Sequence, residues 1–368
     1  MIDEMEAESI LKETIVAIPR SDEGSRASAK ARIEKLTMPY WALGRVLDLA
    51  VDLAGMTASM QPRVARKTIV TMAGDHGVAA EGVSRYPQEV TPQMIYNFAR
   101  GGAGINALAR VSGARVIVVD MGIACDLDPS VVSEYPDGAT VPVLVRKIRK
   151  STGNIAAGPA MSRDEAQRAV AEGIILAQKL SDSTDVFGTG DMGIANTTPS
   201  AAIIACVSGR SPGEIAGRGT GLDDAQLLHK VHIISQALET NRPDPRDGID
   251  LLAKVGGFEI GGLAGLILGA SSRRKPIIVD GFISTAAAAI AALIAPASRD
   301  FMIAAHLSQE RGHAIACSHL GFKPLLDLDM RLGEGTGAAL AMTIVEGAAR
   351  VLTDVATFEE AAVSGADT

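Results

Sequence analysis

The sequence predicts an α/β fold in which a doubly wound, mainly parallel sheet is accompanied by a smaller helical domain. Short runs of β-branched and apolar residues alternate along the chain with longer segments of helical periodicity, which is typical of βα units. Most of the short runs are largely apolar and do not alternate with polar residues, as expected for strands that are covered on both faces. The chain has 368 residues, of which 47% are apolar, enough for one large core and a smaller unit.

Strands and helices are predicted along most of the chain. Strands are predicted over residues 68–72, 115–119, 184–187, 276–279 and 301–305. Helices are predicted over residues 3–18, 41–60, 162–180 and 336–352, and the third begins with the capping box Ser162-Arg-Asp-Glu165. Residues 22–26 are predicted to form a turn. We expect a small helical domain over 1–60, joined by C-terminal helices near 340–368, and a large α/β domain over 61–340 that carries the active site.

Charge and composition argue against several classes of partner. The net charge is −8 and the basic clusters are short, so we expect no nucleic acid partner. The longest uncharged apolar run, 282–297, contains Pro296 and is too short to cross a bilayer, so we expect no membrane association. The N-terminus is acidic and has no apolar core, so we do not expect it to be a signal peptide. The three cysteines are far apart in sequence, which argues against a disulfide framework or a metal site and favours a cytoplasmic location.

Each predicted strand runs into a polar or glycine-rich turn. The turns contain Asp75-His76-Gly77, Asp120, Gly188–Gly193, Asp280-Gly281 and His306-Leu-Ser308. Because the carboxyl ends of parallel strands meet at one edge of a sheet, we expect these turns to form a ligand-binding cleft.

The turn at Gly188–Gly193 matches the G-x-G-x-x-G pattern of dinucleotide-binding folds, so an NAD-dependent oxidoreductase is one alternative. Two features argue against it, because Asp191 stands where a pyrophosphate would approach and Glu214, about twenty residues on, lies in a turn. No Gly-Lys-Ser/Thr follows, which excludes a Walker loop. The segment is then either a helix N-terminus whose amides, at Gly193 and Asn196 among others, bind one phosphate, or a tight strand–helix turn.

Glu334 and His76 are further candidates for the cleft. Glu334 lies between two glycines, directly before the last long helix, and local sequence fits a catalytic base and a partner for the helix dipole equally well. His76 either lines the cleft or braces its turn. His229 and His232 have the i, i+3 spacing of a metal pair, but no carboxylate at zinc-like spacing completes it, so we expect no metal.

Several segments together carry a resemblance to one enzyme family. They are residues 74–83, 153–162, 188–199, 245–250 with 254–258, and 330–342. In these segments the chain closely resembles the nicotinate-nucleotide–dimethylbenzimidazole phosphoribosyltransferases of cobalamin lower-ligand assembly, over roughly residues 30–350.

The resemblance implies a Rossmann-like large domain, a small helical domain, a homodimer, no metal and no cofactor. It implies a reaction in which nicotinate mononucleotide and 5,6-dimethylbenzimidazole give α-ribazole 5′-phosphate and nicotinate. Glu334 is implied as the catalytic base, with Asp191 assisting. The nucleotide- and phosphate-binding residues expected from the glycine-rich loop and from the resemblance are Gly190, Met192, Gly193, Asn196, Lys230, Ser308 and Leu332.

The acceptor pocket is where this sequence departs from the family pattern. Two positions that carry Ser and Gln in well-known members are Tyr86 and Met94 here, and Asp191 replaces the commoner Glu. We expect Tyr86, Met94 and His76 to form a bulkier, more apolar pocket, which leaves benzimidazole and phenol acceptors both open. Relatives that use phenol or p-cresol work as two paralogous subunits, so a heterodimer with a paralogue is an alternative.

Overall fold

A computed structural model describes residues 2–133, 141–219 and 221–364. Within these residues the strands are β1 (Lys67–Gly74), β2 (Ala114–Gly122), β3 (Val143–Val145), β4 (Val186–Met192), β5 (Ile277–Val279) and β6 (Met302–Ala304). They form one sheet in the order β3-β2-β1-β4-β5-β6, and every neighbouring pair is parallel. The predicted α/β fold with a parallel sheet is therefore confirmed.

The strand order places a crevice at the centre of the sheet. The chain builds outward from β1 through β2 to β3, then returns to add β4, β5 and β6 on the other side of β1. This is the doubly wound Rossmann order, whose direction reverses between β1 and β4. In register, Met72 of β1 lies between Val119 of β2 and Asp191 of β4. Ligands of such sheets bind beyond the carboxyl ends of the strands at this switch point.

Helices cover both faces of the sheet, and helices also form the N-terminal region. They are α1 (Glu4–Ala17), α2 (Glu23–Ile33), α3 (Arg45–Thr57), α4 (Val90–Ala99), α5 (Gly104–Ser112), α6 (Arg163–Leu180), α7 (Thr197–Ser208), α8 (Pro212–Ile215), α9 (Asp224–Asn241), α10 (Gly248–Val255), α11 (Phe258–Ser272), α12 (Phe282–Ile294), α13 (His313–Leu320) and α14 (Thr336–Asp354). Helix α1 packs on α6 and α11, whereas α2 and α3 pack on each other and on α14.

The predicted turn at residues 22–26 is wrong, because the segment begins a helix. Asp22 is the N-cap of α2, and its Oδ1 accepts a hydrogen bond from Ser25 N at 2.7 Å. Short polar residues favour both turns and N-caps, so the local sequence could not separate the two. The predicted helix over 41–60 is shorter than expected and starts at Arg45, because Trp41 and Gly44 have φ angles of 52° and 51°. Strand β3, which Pro142 directly precedes, was not predicted.

The small residues of the sequence allow α6 and α11 to touch backbone to backbone. A Cβ added at Gly265 would lie 1.9 Å from Val170 O, and one added at Gly173 would lie 2.0 Å from Gly262 O. This close contact explains why an extensive core needs so few aromatic residues. The apolar run at 282–297 contains the buried helix α12, and no helix among the described residues is long and apolar enough to cross a membrane.

Candidate active site

A cavity of about 640 Å³ opens beyond the carboxyl ends of β4, β5 and β6. Each of these strand ends contributes to its lining, together with the loop before α14 and the region of α4. The lining residues are Tyr86, Val90, Met94, Asp191–Thr197 except Ala195, Gly219, Gly281–Ile283, His306, Ser308, Glu310 and Arg331–Glu334. The cavity therefore lies at the carboxyl edge of the sheet, on the β4 side of the switch point.

The loop before α14 has an unusual backbone. Gly333, Glu334 and Gly335 have φ angles of 82°, 63° and 95°, so three consecutive residues are left-handed. Glycine accepts this conformation freely, but in a non-glycine residue it costs roughly 1–3 kcal/mol. Three hydrogen bonds tie the strained segment to the sheet and its edge: from Thr71 Oγ1 to Glu334 O at 2.8 Å, from Glu334 N to Asp191 O at 3.2 Å and from Gly335 N to Asp280 Oδ2 at 3.1 Å. Strain maintained in this way is characteristic of functional sites.

The carboxylate of Glu334 is buried and is held by another helix. Its Oε2 accepts a hydrogen bond from Ile105 N, in the first turn of α5, at 3.0 Å, and Gly104 N donates to the same carboxylate. Burial raises the pKa of Glu334 and the charge of Asp280 adds to the rise, while the two amides oppose it. The N-terminus of α14 is satisfied by Asp280, whose Oδ1 accepts from Ala338 N at 2.9 Å. Glu334 is thus a partner for α5 and not for the helix that follows it in sequence.

Asp191 lies beneath the same loop and is also buried. Its Oδ2 accepts a hydrogen bond from Asn196 Nδ2 at 3.0 Å, while its Oδ1 has no hydrogen-bond partner among the described residues. A Cβ on Gly333 would lie 3.2 Å from Asp191 Oδ2, so the carboxyl group is close under the loop. Burial, followed by repulsion from Asp280, raises the pKa of Asp191 well above its usual range. The site therefore concentrates carboxyl groups with elevated proton affinity.

A positively polarised corner adjoins Asp191 in the cavity lining. The N-terminus of α7, whose N-cap residue Asn196 makes no side-chain capping bond, lines the cavity, and so does Gly281, the N-cap residue of α12. Lys230 is buried behind α7, where its Nζ donates to Thr197 Oγ1 at 2.7 Å. Burial lowers the pKa of Lys230 to about 8, although the charge of Glu310 opposes this change. Helix N-termini and a lysine together favour an anion such as phosphate.

The cavity brings together most of the residues that were predicted from sequence. Those in its lining are Tyr86, Met94, Asp191, Met192, Gly193, Asn196, Ser308, Leu332 and Glu334. Lys230 lines a smaller adjoining cavity that shares Gly193, Asn196 and Thr197 with the main one.

Gly190 and His76, which were expected in the site, do not line the cavity. Gly190 lies under the base of the loop, where a Cβ would be 2.4 Å from Glu334 O. The absence of a side chain at Gly190 therefore allows Glu334 to lie close to the sheet and has no part in contacting a ligand. His76 is 1% exposed, and its Nε2 lies 2.8 Å from Oε1 of the buried Glu259. Burial lowers the pKa of His76, but the charge and hydrogen bond of Glu259 outweigh this and raise it. His76 therefore fits the bracing alternative.

Sequence reasoning assigned no role to two residues near the site. Asp280 and His306 lie in two of the turns that were expected to form the cleft, Asp280 directly after β5 and His306 two residues beyond β6, but no motif singled them out. Neither ring nitrogen of His306 has a hydrogen-bond partner among the described residues. The neighbouring His313 accepts from Ser308 N at its Nδ1 at 2.8 Å, and burial lowers the pKa of His313 to about 3, so this ring is neutral. Among the described residues no cluster of His, Cys, Asp or Glu is arranged to hold a metal ion.

Comparisons with known proteins agree with this geometry. A family model described as a phosphoribosyltransferase matches residues 18–363. A nicotinate-nucleotide–dimethylbenzimidazole phosphoribosyltransferase of Syntrophotalea carbinolica is 61% identical over 97% of this chain and 99% of its own length. The chain belongs to the nicotinate-nucleotide–dimethylbenzimidazole phosphoribosyltransferase family.

Other members of this family are similar over the same extent. The family's protein from Chloroflexus aggregans is 52% identical over 97% of this chain and 98% of its own length. The crystal structure of the Thermus thermophilus enzyme superposes with a TM-score of 0.86 at 41% identity, covering 94% of this chain and 100% of that one. This chain is therefore a pentosyltransferase, and the oxidoreductase interpretation of Gly188–Gly193 is not supported.

Proposed function

We propose that this phosphoribosyltransferase moves the 5-phosphoribosyl group of nicotinate mononucleotide onto 5,6-dimethylbenzimidazole or a related aromatic acceptor. The products are the α-riboside 5′-phosphate and nicotinate. The observation that carries the proposal is the buried Glu334 carboxylate, held in a strained left-handed loop within the same cavity as a phosphate-binding corner.

The proposed chemistry needs one base and no acid. The pyridinium nitrogen of the nucleotide carries a positive charge, so the C1′–N bond breaks with its electron pair staying on nicotinate. The acceptor nitrogen or oxygen forms a bond to C1′ from the opposite face, which converts the β into the α configuration. Glu334 takes the proton that the acceptor loses. Its raised pKa makes it a better proton acceptor, because general bases work best when their pKa approaches the working pH.

We assign the phosphate to the corner formed by Gly193, Asn196 and Lys230. The N-terminus of α7, which has no side-chain cap, faces the cavity there, and the buried Lys230 supplies the charge behind it. Ser308, Met192 and Leu332, which line the same cavity, are assigned to the nucleotide. Holding both substrates in one cavity contributes much of the rate, because it removes the entropy cost of bringing them together.

Asp191 is assigned to the ribose. It is buried beside other carboxyl groups, which raises its pKa well above the usual range in the free enzyme. The entering pyridinium nucleotide brings the positive charge that this cluster lacks, so binding favours the ionised form. An ionised Asp191 then stabilises the positive charge that develops on the ribose as the C1′–N bond breaks.

The acceptor is assigned to the side of the cavity formed by Tyr86 and Met94. Met94 lies on α4, and Tyr86 precedes this helix and is 53% exposed. Both present flat or flexible apolar surface, which suits an aromatic ring and provides no obligatory hydrogen bond. Competition among dimethylbenzimidazole, adenine, phenol and p-cresol, read by the mass of the α-riboside, would identify the preferred acceptor.

We further propose a cytoplasmic homodimer. All the groups assigned above are on one chain, which favours identical subunits over a heterodimer with a paralogue. The three cysteines are free thiols, which fits a reducing compartment. Light scattering after size exclusion gives the subunit number, and inactivity of the purified single chain with every acceptor would favour the heterodimer.

The base assignment is tested by Glu334→Gln. The amide keeps the size of the side chain but cannot take a proton, so we expect kcat to fall by about 10²–10⁴-fold while the far-UV spectrum is unchanged. The matched control is Glu346→Gln, on α14, where the carboxylate pairs with Lys67 Nζ away from the cavity; its kcat should stay near wild type. Nicotinate release by Glu334→Gln at the wild-type rate would reject the assignment.

A further inference from the structure

Helix α5 lacks an N-cap side chain of its own. The N-cap residue is Ala103, which has no oxygen to accept a hydrogen bond from the first turn, although Ser, Thr, Asp and Asn are strongly preferred there. The acceptor comes instead from Glu334, 229 positions away in sequence, whose Oε2 accepts from Ile105 N. The carboxylate proposed as the base is therefore also the cap of α5.

Asn106 holds the turn that precedes this cap. Its side chain is buried, its Oδ1 accepts from Ala103 N at 3.0 Å, and its Nδ2 donates to Phe98 O at 3.3 Å. These bonds join the end of α4 to the start of α5. Because the side chain is uncharged and is absent from the cavity lining, it can influence the reaction only through the backbone that it fixes.

Gly104 allows the carboxylate to come this close. A Cβ at this position would lie 3.3 Å from Glu334 Oε2 and 2.8 Å from Leu332 Cδ2. A side chain here would therefore press on the carboxylate and on a neighbouring lining residue. The first turn of α5 is shaped to receive Glu334 by the hydrogen bonds of Asn106 and by the small size of Gly104.

We propose that Asn106 is a positioning residue for phosphoribosyl transfer: it holds the first turn of α5 so that the backbone amides fix Glu334 Oε2 and leave Oε1 to take the proton of the acceptor. The inference rests on the proposed function, in which Glu334 is the base. It assigns the orientation of that base to a helix that is distant in sequence and to a residue that touches neither substrate.

The charges around Glu334 determine the direction of the expected effect. Asp191 from β4 and Asp280 beyond β5 face it, and His306 and Arg331 line the same cavity. Burial and the charge of Asp280 raise the pKa of Glu334, and the α5 amides oppose the rise. Loosening the α5 turn weakens the hydrogen bonding of these amides to the carboxylate, so the pKa of Glu334 rises further. Activity that needs the ionised carboxylate then begins at a higher pH.

The test compares Asn106→Leu with the wild-type enzyme. Leucine has the same number of side-chain heavy atoms and the same branch point as asparagine but makes neither hydrogen bond. We expect kcat to fall about tenfold, and the acid limb of the kcat/KM profile to move up by about one pH unit, which correspond to one hydrogen bond to a charged group. The KM for nicotinate mononucleotide should stay within about twofold of wild type, because the α7 and Lys230 corner is untouched.

The matched control is Ser112→Ala, at the other end of the same helix. Ser112 is also buried and donates its side-chain hydrogen bond to the backbone, to Ala109 O at 3.2 Å. Loss of that bond should lower the stability of α5 without moving the acid limb or kcat. An equal shift in Ser112→Ala and Asn106→Leu would assign the effect to general loosening and overturn the proposal.

Gly104→Ala supplies a second, independent perturbation of the same turn. It adds one methyl group beside Glu334 Oε2, at a residue whose φ is not left-handed, so the chain should fold. We expect a lower kcat, as for Asn106→Leu, together with a higher KM for nicotinate mononucleotide, because the methyl group also displaces Leu332, which is assigned to the nucleotide. The proposal fails if both variants keep the wild-type kcat and acid limb while Glu334→Gln is inactive. If Glu334→Gln is fully active, the base assignment fails instead, whatever Asn106→Leu does.

Discussion

Gly190 offers a direct measure of how closely the backbone of Glu334 is held. Gly190 lies in β4, and a Cβ there would meet Glu334 O at 2.4 Å and Thr71 Oγ1 at 2.8 Å. The carbonyl group is main chain and cannot rotate away. Gly190→Ala therefore forces the loop that carries Glu334 away from the sheet.

The distance sets the size of the expected effect. Ordinary contact begins near 3.4 Å, so the loop must move by about 0.8–1 Å, since a few tenths of an ångström can be absorbed elsewhere. A displacement of about 1 Å in a catalytic group costs about 10²-fold in rate. The same overpacking should lower the free energy of unfolding by about 1–3 kcal/mol. We therefore expect kcat to fall by about 10- to 100-fold in a protein that still folds at about 25 °C.

The assay is steady-state nicotinate release, with unfolding followed in urea. Gly188→Ala is the control, because Gly188 is two residues earlier on the same strand and a Cβ there would meet side-chain atoms, the nearest being Met342 Cε at 3.0 Å. It should lose stability but keep kcat within about threefold, since flexible side chains can adjust. The reasoning is refuted if folded Gly190→Ala keeps a wild-type kcat, or if Gly188→Ala loses as much.

Two further predictions follow from the buried charges. Asp191 has a raised pKa in the folded protein, so above the ordinary carboxyl range the unfolded chain releases a proton that the folded chain keeps, and stability falls as pH rises. Asp191→Asn removes this loss of stability. Urea unfolding should show a free energy of unfolding that is about 1–2 kcal/mol higher than wild type at about pH 8, with a smaller increase at about pH 5. An equal increase at both pH values would contradict the reasoning. Lys230, whose pKa burial lowers to about 8, loses its charge above that pH and with it the attraction for phosphate. The kcat/KM for nicotinate mononucleotide should then decline above about pH 8, and persistence of the same decline in Lys230→Met would exclude this lysine as its source.

The fold was predictable because its strands carry a strong local signal. The runs at 68–72 and 115–119 are rich in β-branched residues, and β1 and β2 extend them to Lys67–Gly74 and Ala114–Gly122. β5 and β6 have three residues each and were predicted, whereas the equally short β3, which Pro142 directly precedes, was not. It is held by its pairing with β2, and the propensity of so short a segment is decided by tertiary context.

Candidate residues for the site were named from sequence where they sit in a motif or match a position of the family that the chain resembles. Glu334 and Asp191 were found because glycines surround them in sequence, and both line the cavity. The contacts that hold them could not be found this way. Asp280 accepts from Gly335 N, 55 positions on, at the start of α14, and Ile105 donates to a carboxylate 229 positions away. Neither spacing leaves a local pattern, since only the folded sheet brings the partners together.

The left-handed loop also determines where this enzyme can change. Gly333 and Gly335 have φ angles of 82° and 95°, so any other residue there would add about 1–2 kcal/mol of backbone strain. The backbone of Glu334, which lies between them, is therefore fixed on both sides. Tyr86 and Met94, also in the cavity lining, have no such restriction, because Tyr86 is half exposed and Met94 lies on an ordinary helix. If these two residues contact the acceptor, as proposed, we expect new acceptor preferences to arise at them while the loop around Glu334 stays unchanged.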